Sequence, residues 1–157
     1  MENVSRNYGI DNLDRSILKI LMQNSKVSYA EIGKQLFCSA GTVHVRMKKM
    51  EKLGIVDKPQ LQVNYKKLGY DIAAFLGVYL TSSSMYESVA TKLAEVPEMV
   101  GLHYTTGAYS MFAKIICTDT DHLMEVLHNK IQSIDGIQRT ETLISLQESI
   151  NRPLLSL

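Results

Sequence analysis

Lys48, Lys49 and Lys52 follow closely on Ser39, Gly41, Thr42, His44 and Val45 in this 157-residue chain. If the stretch is helical, a turn of about 100° per residue carries Val43, Met47 and Met50 to one side. His44, Val45, Lys48, Lys49 and Lys52 spread over the other. The chemistry open to such a face is recognition of a polyanion. Hydroxyls and small groups at its start can meet base edges, and ammonium groups further along can meet phosphates. Val45, apolar on a wet face, suits a thymine methyl. A lysine-rich face is often merely solvated, but solvation does not require Gly41, Thr42 and Val45 to leave its first half small and uncharged.

Catalytic chemistry finds less support. The sequence has no G-x-S-x-G, no H-E-x-x-H and no P-loop. His103, His122 and His128 are scattered through the second half, and lone histidines are more often structural or surface residues than ligands. Cys38 and Cys117 are too few and too far apart for a disulfide framework or a zinc site. They are expected to be buried free thiols in a reducing cytoplasm, with no metal and no resident cofactor. The opening Met1-Glu2-Asn3-Val4-Ser5-Arg6 is not a signal peptide. The longest apolar run goes from Ile72 to Leu80. A bilayer span needs roughly 20 residues, so no membrane partner is expected.

The elements that must position the lysine face are legible around it. Ser28 and Glu31 form an S-x-x-E capping box that opens one short helix. Ser39 opens the next after the turn at Phe37-Cys38, and Gly54 can end it in a left-handed conformation. Two capped helices so closely joined form a helix-turn-helix signal. Asp11 caps an earlier helix to about Asn24, with Leu13, Ile17, Leu18 and Leu21 as its apolar stripe, completing a three-helix core. Residues 1–10 read as a mobile arm. Residues 55–63 read as a short two-stranded wing, followed by a linker at 64–69. Lys58, Lys66 and Lys67 there suit DNA backbone or solvent equally well. Charge divides with the elements: residues 1–67 carry twelve Lys and Arg against six Asp and Glu, residues 68–157 five against ten. Such an asymmetry argues for a nucleic-acid-facing half and a half with another task.

From Tyr70 the pattern changes to strand (Tyr70–Leu80), helix (from a Ser84–Glu87 capping box to Val96), two strands around Gly107-Ala108-Tyr109, helix (Asp119–Ser133) and strand (Gly136–Gln147). The order β-α-β-β-α-β is that of the ferredoxin-like fold. The chain is therefore α+β: a winged helix-turn-helix domain at 1–63, a linker at 64–69 and a ferredoxin-like domain at 70–157. The first strand is apolar on both faces, with Ile72, Ala74, Leu76, Val78 and Leu80 on one and Ala73, Phe75 and Tyr79 on the other. Both helices cover one side of the sheet, so the open side is expected to bury itself in a homodimer. A dimer also presents two reading helices to a palindromic duplex.

Gly41-Thr42-Val43-His44-Val45-Arg46, Tyr104-Thr105-Thr106-Gly107-Ala108-Tyr109-Ser110 and Thr140-Glu141-Thr142-Leu143-Ile144-Ser145-Leu146-Gln147, on this two-domain plan, resemble the Lrp/AsnC family of amino-acid-responsive regulators. The resemblance covers nearly the whole chain and is nearest to the family's asparagine-responsive members. It implies a transcriptional regulator of amino-acid metabolism that binds double-stranded DNA, with dimers assembling further, often into octamers. It also implies an amino-acid effector, here L-asparagine, bound where dimers meet. The effector residues it points to are Tyr104, Thr105, Gly107, Tyr109, Ser110, Gln132, Thr140 and Thr142. Their hydroxyls, with backbone groups near a glycine, can serve an ammonium and a carboxylate. They would equally serve as ordinary turn, strand and helix-surface residues. Two alternatives stand beside this reading: a regulator responding to another amino acid, and an enzyme resembling sirohaem decarboxylases, which share the architecture and use histidines near haem. The sequence departs from the family pattern at Phe37, where the turn commonly has glycine, and at Ala40, where the reading helix often starts with proline. A positive φ at Phe37 would store roughly 1–3 kcal/mol of strain.

Overall fold

A computed structural model describes residues 9–57 and 59–154. Its contacts divide the chain into two compact units, Met1–Leu61 with Ile150–Leu157, and Gln62–Ser149. The expected N-terminal arm falls outside the described residues except for Gly9 and Ile10, and Ile10 packs on the first unit's core.

The first unit has three helices: α1 (Asn12–Gln23), α2 (Tyr29–Gln35) and α3 (Ala40–Lys52). Each begins at the predicted cap. The Asp11 carboxylate accepts from the Asp14 amide at 3.0 Å while the Asp14 carboxylate accepts from the Asp11 amide at 3.0 Å. Ser28 and Glu31 repeat this reciprocal box, and Ser39 accepts from the Thr42 amide at 3.0 Å. These caps satisfy helix-start amides that would otherwise lack partners. Ile17, Ile32, Val43, Met47 and Met50 form the buried core. Gly33 lies under the turn backbone: a β-carbon there would come within 2.6 Å of the Cys38 carbonyl oxygen. Cys38 is half-buried and Cys117 buried, so only the second is enclosed as expected.

One expectation fails after α3. No strand forms among the described residues of 55–63, so the two-stranded wing is absent. The amides of Ile55 and Val56 instead donate to the Met50 carbonyl at 3.0 and 3.4 Å. They close the end of α3 beyond Gly54, whose φ is 67°. Pro59 has no amide to offer a ladder. Lys58 lies outside the described residues. The expected linker contains a single 3-10 turn (Tyr65–Leu68) capped by Asn64 and ended by Gly69 in the left-handed region.

The second unit is a four-stranded antiparallel sheet in the order β2-β3-β1-β4, with β1 (Ile72–Leu80), β2 (Met99–Tyr104), β3 (Met111–Cys117) and β4 (Ile137–Ser145). Helices α4 (Tyr86–Ala94) and α5 (Thr120–Glu125) cover one face. Ala74, Leu76, Val78, Met111, Ala113 and Ile115 point into that face and meet Val89, Leu93, Leu123, Val126 and Ile131. This is the ferredoxin-like arrangement read from the sequence. The Ser84–Glu87 capping box does not form, because Ser84 is drawn back to the Ser82 hydroxyl at 2.9 Å. A 3-10 turn (Ser83–Met85) then feeds directly into α4, whose start has no side-chain cap. The second helix is not uniform either. It widens after Glu125 into a π-helical segment (Val126–Ile131), closed by the Gln132 amide donating to the Leu127 carbonyl at 2.8 Å. A polar cluster pins this region: Glu98 accepts from Lys130 at 2.7 Å and from His122 Nε2 at 3.1 Å, while the Thr118 amide donates to His122 Nδ1 at 3.2 Å. Because Nδ1 accepts from an amide, the ring proton sits on Nε2.

Candidate functional site

The exposed side of α3 carries the predicted DNA-facing residues, and its sequence explains why. Val43, Met47 and Met50 are buried at helical spacing, which turns Gly41, His44, Val45, Lys48, Lys49 and Lys52 outward. Val45 is 67% exposed, a large apolar side chain that the unit's own core does not use. The Ser39 and Thr42 hydroxyls lie 2.9 Å apart at the start of the helix, and the His44 ring rests 6.0 Å from that of Tyr29. Gly41, Thr42, Val45, Arg46 and Lys49, with Asp11, border an open groove of about 460 Å³.

The lysines are not equivalent. Lys48 pairs with Glu51 at 3.2 Å on the surface. Such an exposed contact has little strength and leaves the charge available. Lys52 is exposed and makes no ion pair among the described residues. Lys49, expected to face phosphate, instead reaches Asp14 at 3.3 Å and helps to neutralise it. The centre of this arrangement was not anticipated from the sequence. Arg46 donates to Asp11 at 2.6 Å and to Asp14 at 2.8 Å, and the Asp14 side chain is fully buried. The Arg46 hydrogen bond holds the Asp11 carboxyl down to about 2. Burial pushes Asp14 upward, but Arg46, the Asp11 amide and Lys49 outweigh it and leave that carboxyl below its ordinary range. The reading helix is thus bolted to the start of α1. The available signal was Arg46 itself, set beside the apolar stripe of α3 where a free cation would be costly.

The eight predicted effector residues fall into two groups. At the β2–β3 hairpin, the Tyr104 ring lies 4.4 Å from Tyr86, and the Thr105 amide donates to the Ser110 carbonyl at 3.1 Å. The Thr105 hydroxyl donates to the Tyr109 carbonyl, and the Leu80 amide donates to the Ser110 hydroxyl at 3.3 Å. Tyr109 turns to the open face of the sheet, where its ring fills the space above Gly77; a β-carbon at Gly77 would meet it at 2.4 Å. Gly107 has no positive φ, and a β-carbon there would meet nothing within 4 Å, so neither its backbone conformation nor crowding inside the chain calls for a glycine. The second group lies across the sheet. Gln132 donates to the Thr140 hydroxyl at 3.1 Å, and Thr142 follows on β4 opposite Leu76. Gln132 also borders a groove of about 750 Å³ with Leu127, His128 and Ile144. Strands β2 and β4 are the two edges of the sheet. Three strand spacings separate them, or about 14 Å. One chain therefore does not bring Tyr104 and Gln132 to a common pocket.

The open face of the sheet is a third surface. Phe75 and Phe112 stack at 5.6 Å, Phe112 continues to Tyr109 at 5.9 Å, and Tyr109 meets Tyr79 edge-on at 5.3 Å. Arg139 lies over Tyr79 at 3.5 Å, a cation–π contact. Across from Phe75, Leu143 is 46% exposed. Among the described residues no group of His, Cys, Asp and Glu could hold a metal ion, and no helix is long and apolar enough to cross a membrane.

Comparison with known proteins agrees with this division. Residues 10–51 match the AsnC-type helix-turn-helix domain, and residues 73–155 match the Lrp/AsnC ligand binding domain. The chain is 49% identical over 148 residues to Regulatory protein AsnC of Escherichia coli strain K12, covering 94% of this chain and 97% of that protein. It is 44% identical over 147 residues to the protein of that name from Haemophilus influenzae, covering 94% of this chain and 98% of that one. The solved structure of E. coli AsnC superposes with a TM-score of 0.88 at 48% identity over 93% of this chain and 98% of that one. A Neisseria meningitidis transcriptional regulator solved with L-methionine shares the fold, with a TM-score of 0.86 at 21% identity over 91% of this chain and 94% of that one.

Proposed function

The chain belongs to the Lrp/AsnC family of DNA-binding transcriptional regulators, and from that premise we propose that its effector is L-asparagine, sensed between subunits of a homodimer-based assembly in the cytoplasm. Residues 1–63 bind double-stranded DNA, residues 64–69 link, and residues 70–157 hold the effector and the subunit contacts. The relatives' character as regulators removes the sirohaem-decarboxylase alternative. The observation that carries the effector reading is the separation of Tyr104, on edge strand β2, from Thr140 and Thr142, on edge strand β4, and from Gln132 bonded to Thr140. A ligand small enough to sit beside Tyr104 reaches Gln132 only if a neighbouring copy brings its hairpin to the β4 edge. Gly107 then leaves room for ligand or neighbour to approach the backbone, and Tyr104, Thr105, Tyr109, Ser110, Thr140 and Thr142 supply hydroxyls. Dimers meeting in this way close into a higher assembly, an octamer in our reading.

Asparagine suits the residues. His103–Ser110 contains no acidic or permanently cationic side chain, which favours a zwitterion with a neutral side chain. The Gln132 amide spends one N–H on Thr140 and keeps its carbonyl and second N–H for a ligand amide. Gln132→Ala should weaken asparagine by about 0.5–1.5 kcal/mol, the worth of a neutral hydrogen bond, and an apolar amino acid much less. Titration calorimetry on wild type and variant reads the difference; equal losses for asparagine and leucine would remove Gln132 from the site.

DNA binding rests on Ser39, Gly41, Thr42, His44 and Val45 for sequence and on Lys48 and Lys52 for phosphates. Each phosphate contact adds about −0.9 to the slope of log affinity against log salt. Lys48→Ala should therefore shallow the slope by roughly one unit per contacting subunit. Lys49→Ala should shallow it less, because Asp14 already engages that charge, and should lower stability instead. A Lys48 variant with an unchanged slope would mean that the residue is only solvated.

A further inference from the structure

The turn that joins α2 to α3 closes as a Schellman motif. Leu36 is the cap, and the Cys38 amide donates to the Gly33 carbonyl at 2.9 Å. The residue between them, Phe37, is held at φ 54°, and no other non-glycine residue among those described has a positive φ. Glycine is favoured at this position because a β-carbon in the left-handed region crowds the following carbonyl. The Phe37 side chain is also 97% exposed. The ring packs on nothing in its own unit while its backbone takes a disfavoured conformation, so the free chain gains from neither. Strain of this kind, observed directly, points to a contact made in a bound state.

Its neighbours identify the partner. Two residues later Ser39 caps α3, and its hydroxyl and that of Thr42 form the base-reading end of the helix. The exposed Val45 continues the apolar element of the same surface. Lys34, exposed in the last turn of α2, places a cation on the element that leads into the turn. An aromatic ring exposed in the turn that leads into a reading helix can meet the apolar parts of a duplex, the thymine methyls and deoxyribose carbons, without needing a hydrogen-bond partner. We propose that Phe37 is a DNA-contact residue whose ring packs against the duplex beside the start of α3. The proposal rests on the DNA-binding reading and extends it to a residue outside the reading helix.

The test uses the full chain and the duplex that wild-type protein selects from a random-sequence pool, with affinity measured by anisotropy across a salt series. Phe37→Gly and Phe37→Asn both tolerate the left-handed turn, and Phe37→Tyr keeps the ring. The Gly and Asn variants should melt no lower than wild type yet bind the duplex about tenfold more weakly, as expected for partial loss of aromatic burial. Their log–log salt slope should be unchanged, since no phosphate contact is removed, and Phe37→Tyr should bind like wild type. A Phe37→Gly protein that binds DNA as tightly as wild type overturns the proposal. So does one whose self-association falls while its affinity for DNA holds, because the ring would then be a protein contact. Wild type that selects no duplex would refute the DNA-binding reading itself, a failure distinct from either of these.

Discussion

Phe75→Glu should reduce the protein to monomers at micromolar concentration. Phe75 stacks on Phe112 within an aromatic row that runs through Tyr109 to Tyr79, on the side of the sheet that neither α4 nor α5 covers. Ala73, Ile116 and Leu143 extend the row as apolar surface, and Lys114, Arg139 and Glu141, which accepts from the Tyr79 hydroxyl at 3.5 Å, border it. A contiguous apolar face of this kind on a small unit marks an interaction surface, and a second copy of the same face is complementary in size and chemistry. A carboxylate at Phe75 would have Lys114 across the strand, but that cation is already paired with Glu148 at 3.0 Å, so the added charge would enter the interface uncompensated at a cost of about 3–5 kcal/mol. Sedimentation velocity decides the matter. Wild type should run as a dimer or larger and the variant as a monomer with its circular dichroism retained. A wild type that is monomeric at micromolar concentration contradicts the interface, as does a variant of unchanged mass.

Arg46→Ala should destabilise the first unit by about 3 kcal/mol, the lower end of the range for breaking a buried pair. The loss stays at that end because Lys49 still reaches Asp14. Removing Arg46 leaves the buried Asp14 carboxylate with one cation at 3.3 Å in place of two. The pH dependence identifies the cause. Asp11 and Asp14 have folded values below their unfolded ones, so their contribution is complete above the unfolded value near 3.8 and disappears as pH falls through the folded value, about 2 for Asp11. Calorimetric unfolding at neutral pH should show the full difference between wild type and variant. That difference should shrink steadily as pH is lowered from about 4 toward 2. A pH-independent difference would assign the effect to lost packing of the Arg46 side chain.

Local rules made much of the fold legible. Asp11, Ser28 and Ser39 each cap the predicted helix, because an N-cap depends only on residues within three positions. The alternation in β1 identified the two faces of the sheet, because side chains alternate strictly along a strand. What the sequence hid was decided by competition or distance. Ile55 and Val56 have strand-forming side chains, but the end of α3 takes their amides first. Ser84 was a valid cap lost to Ser82 two residues away. The salt bridge from Arg46 to Asp11 spans 35 positions, beyond any local pattern. The predicted effector residues read as one set in sequence, yet Tyr104 and Thr140 stand on opposite edge strands, because the order β2-β3-β1-β4 places two strands between them.

The central claim is that this regulator senses L-asparagine between subunits, and titration calorimetry on the full chain addresses it directly. With asparagine, glutamine, aspartate and leucine titrated in turn, asparagine should bind tightest, below millimolar, and its binding should shift the assembly seen by sedimentation. The shift can be no larger than the difference in affinity between assembled states allows. Leucine binding more tightly than asparagine, or no amino acid binding below millimolar, would contradict it.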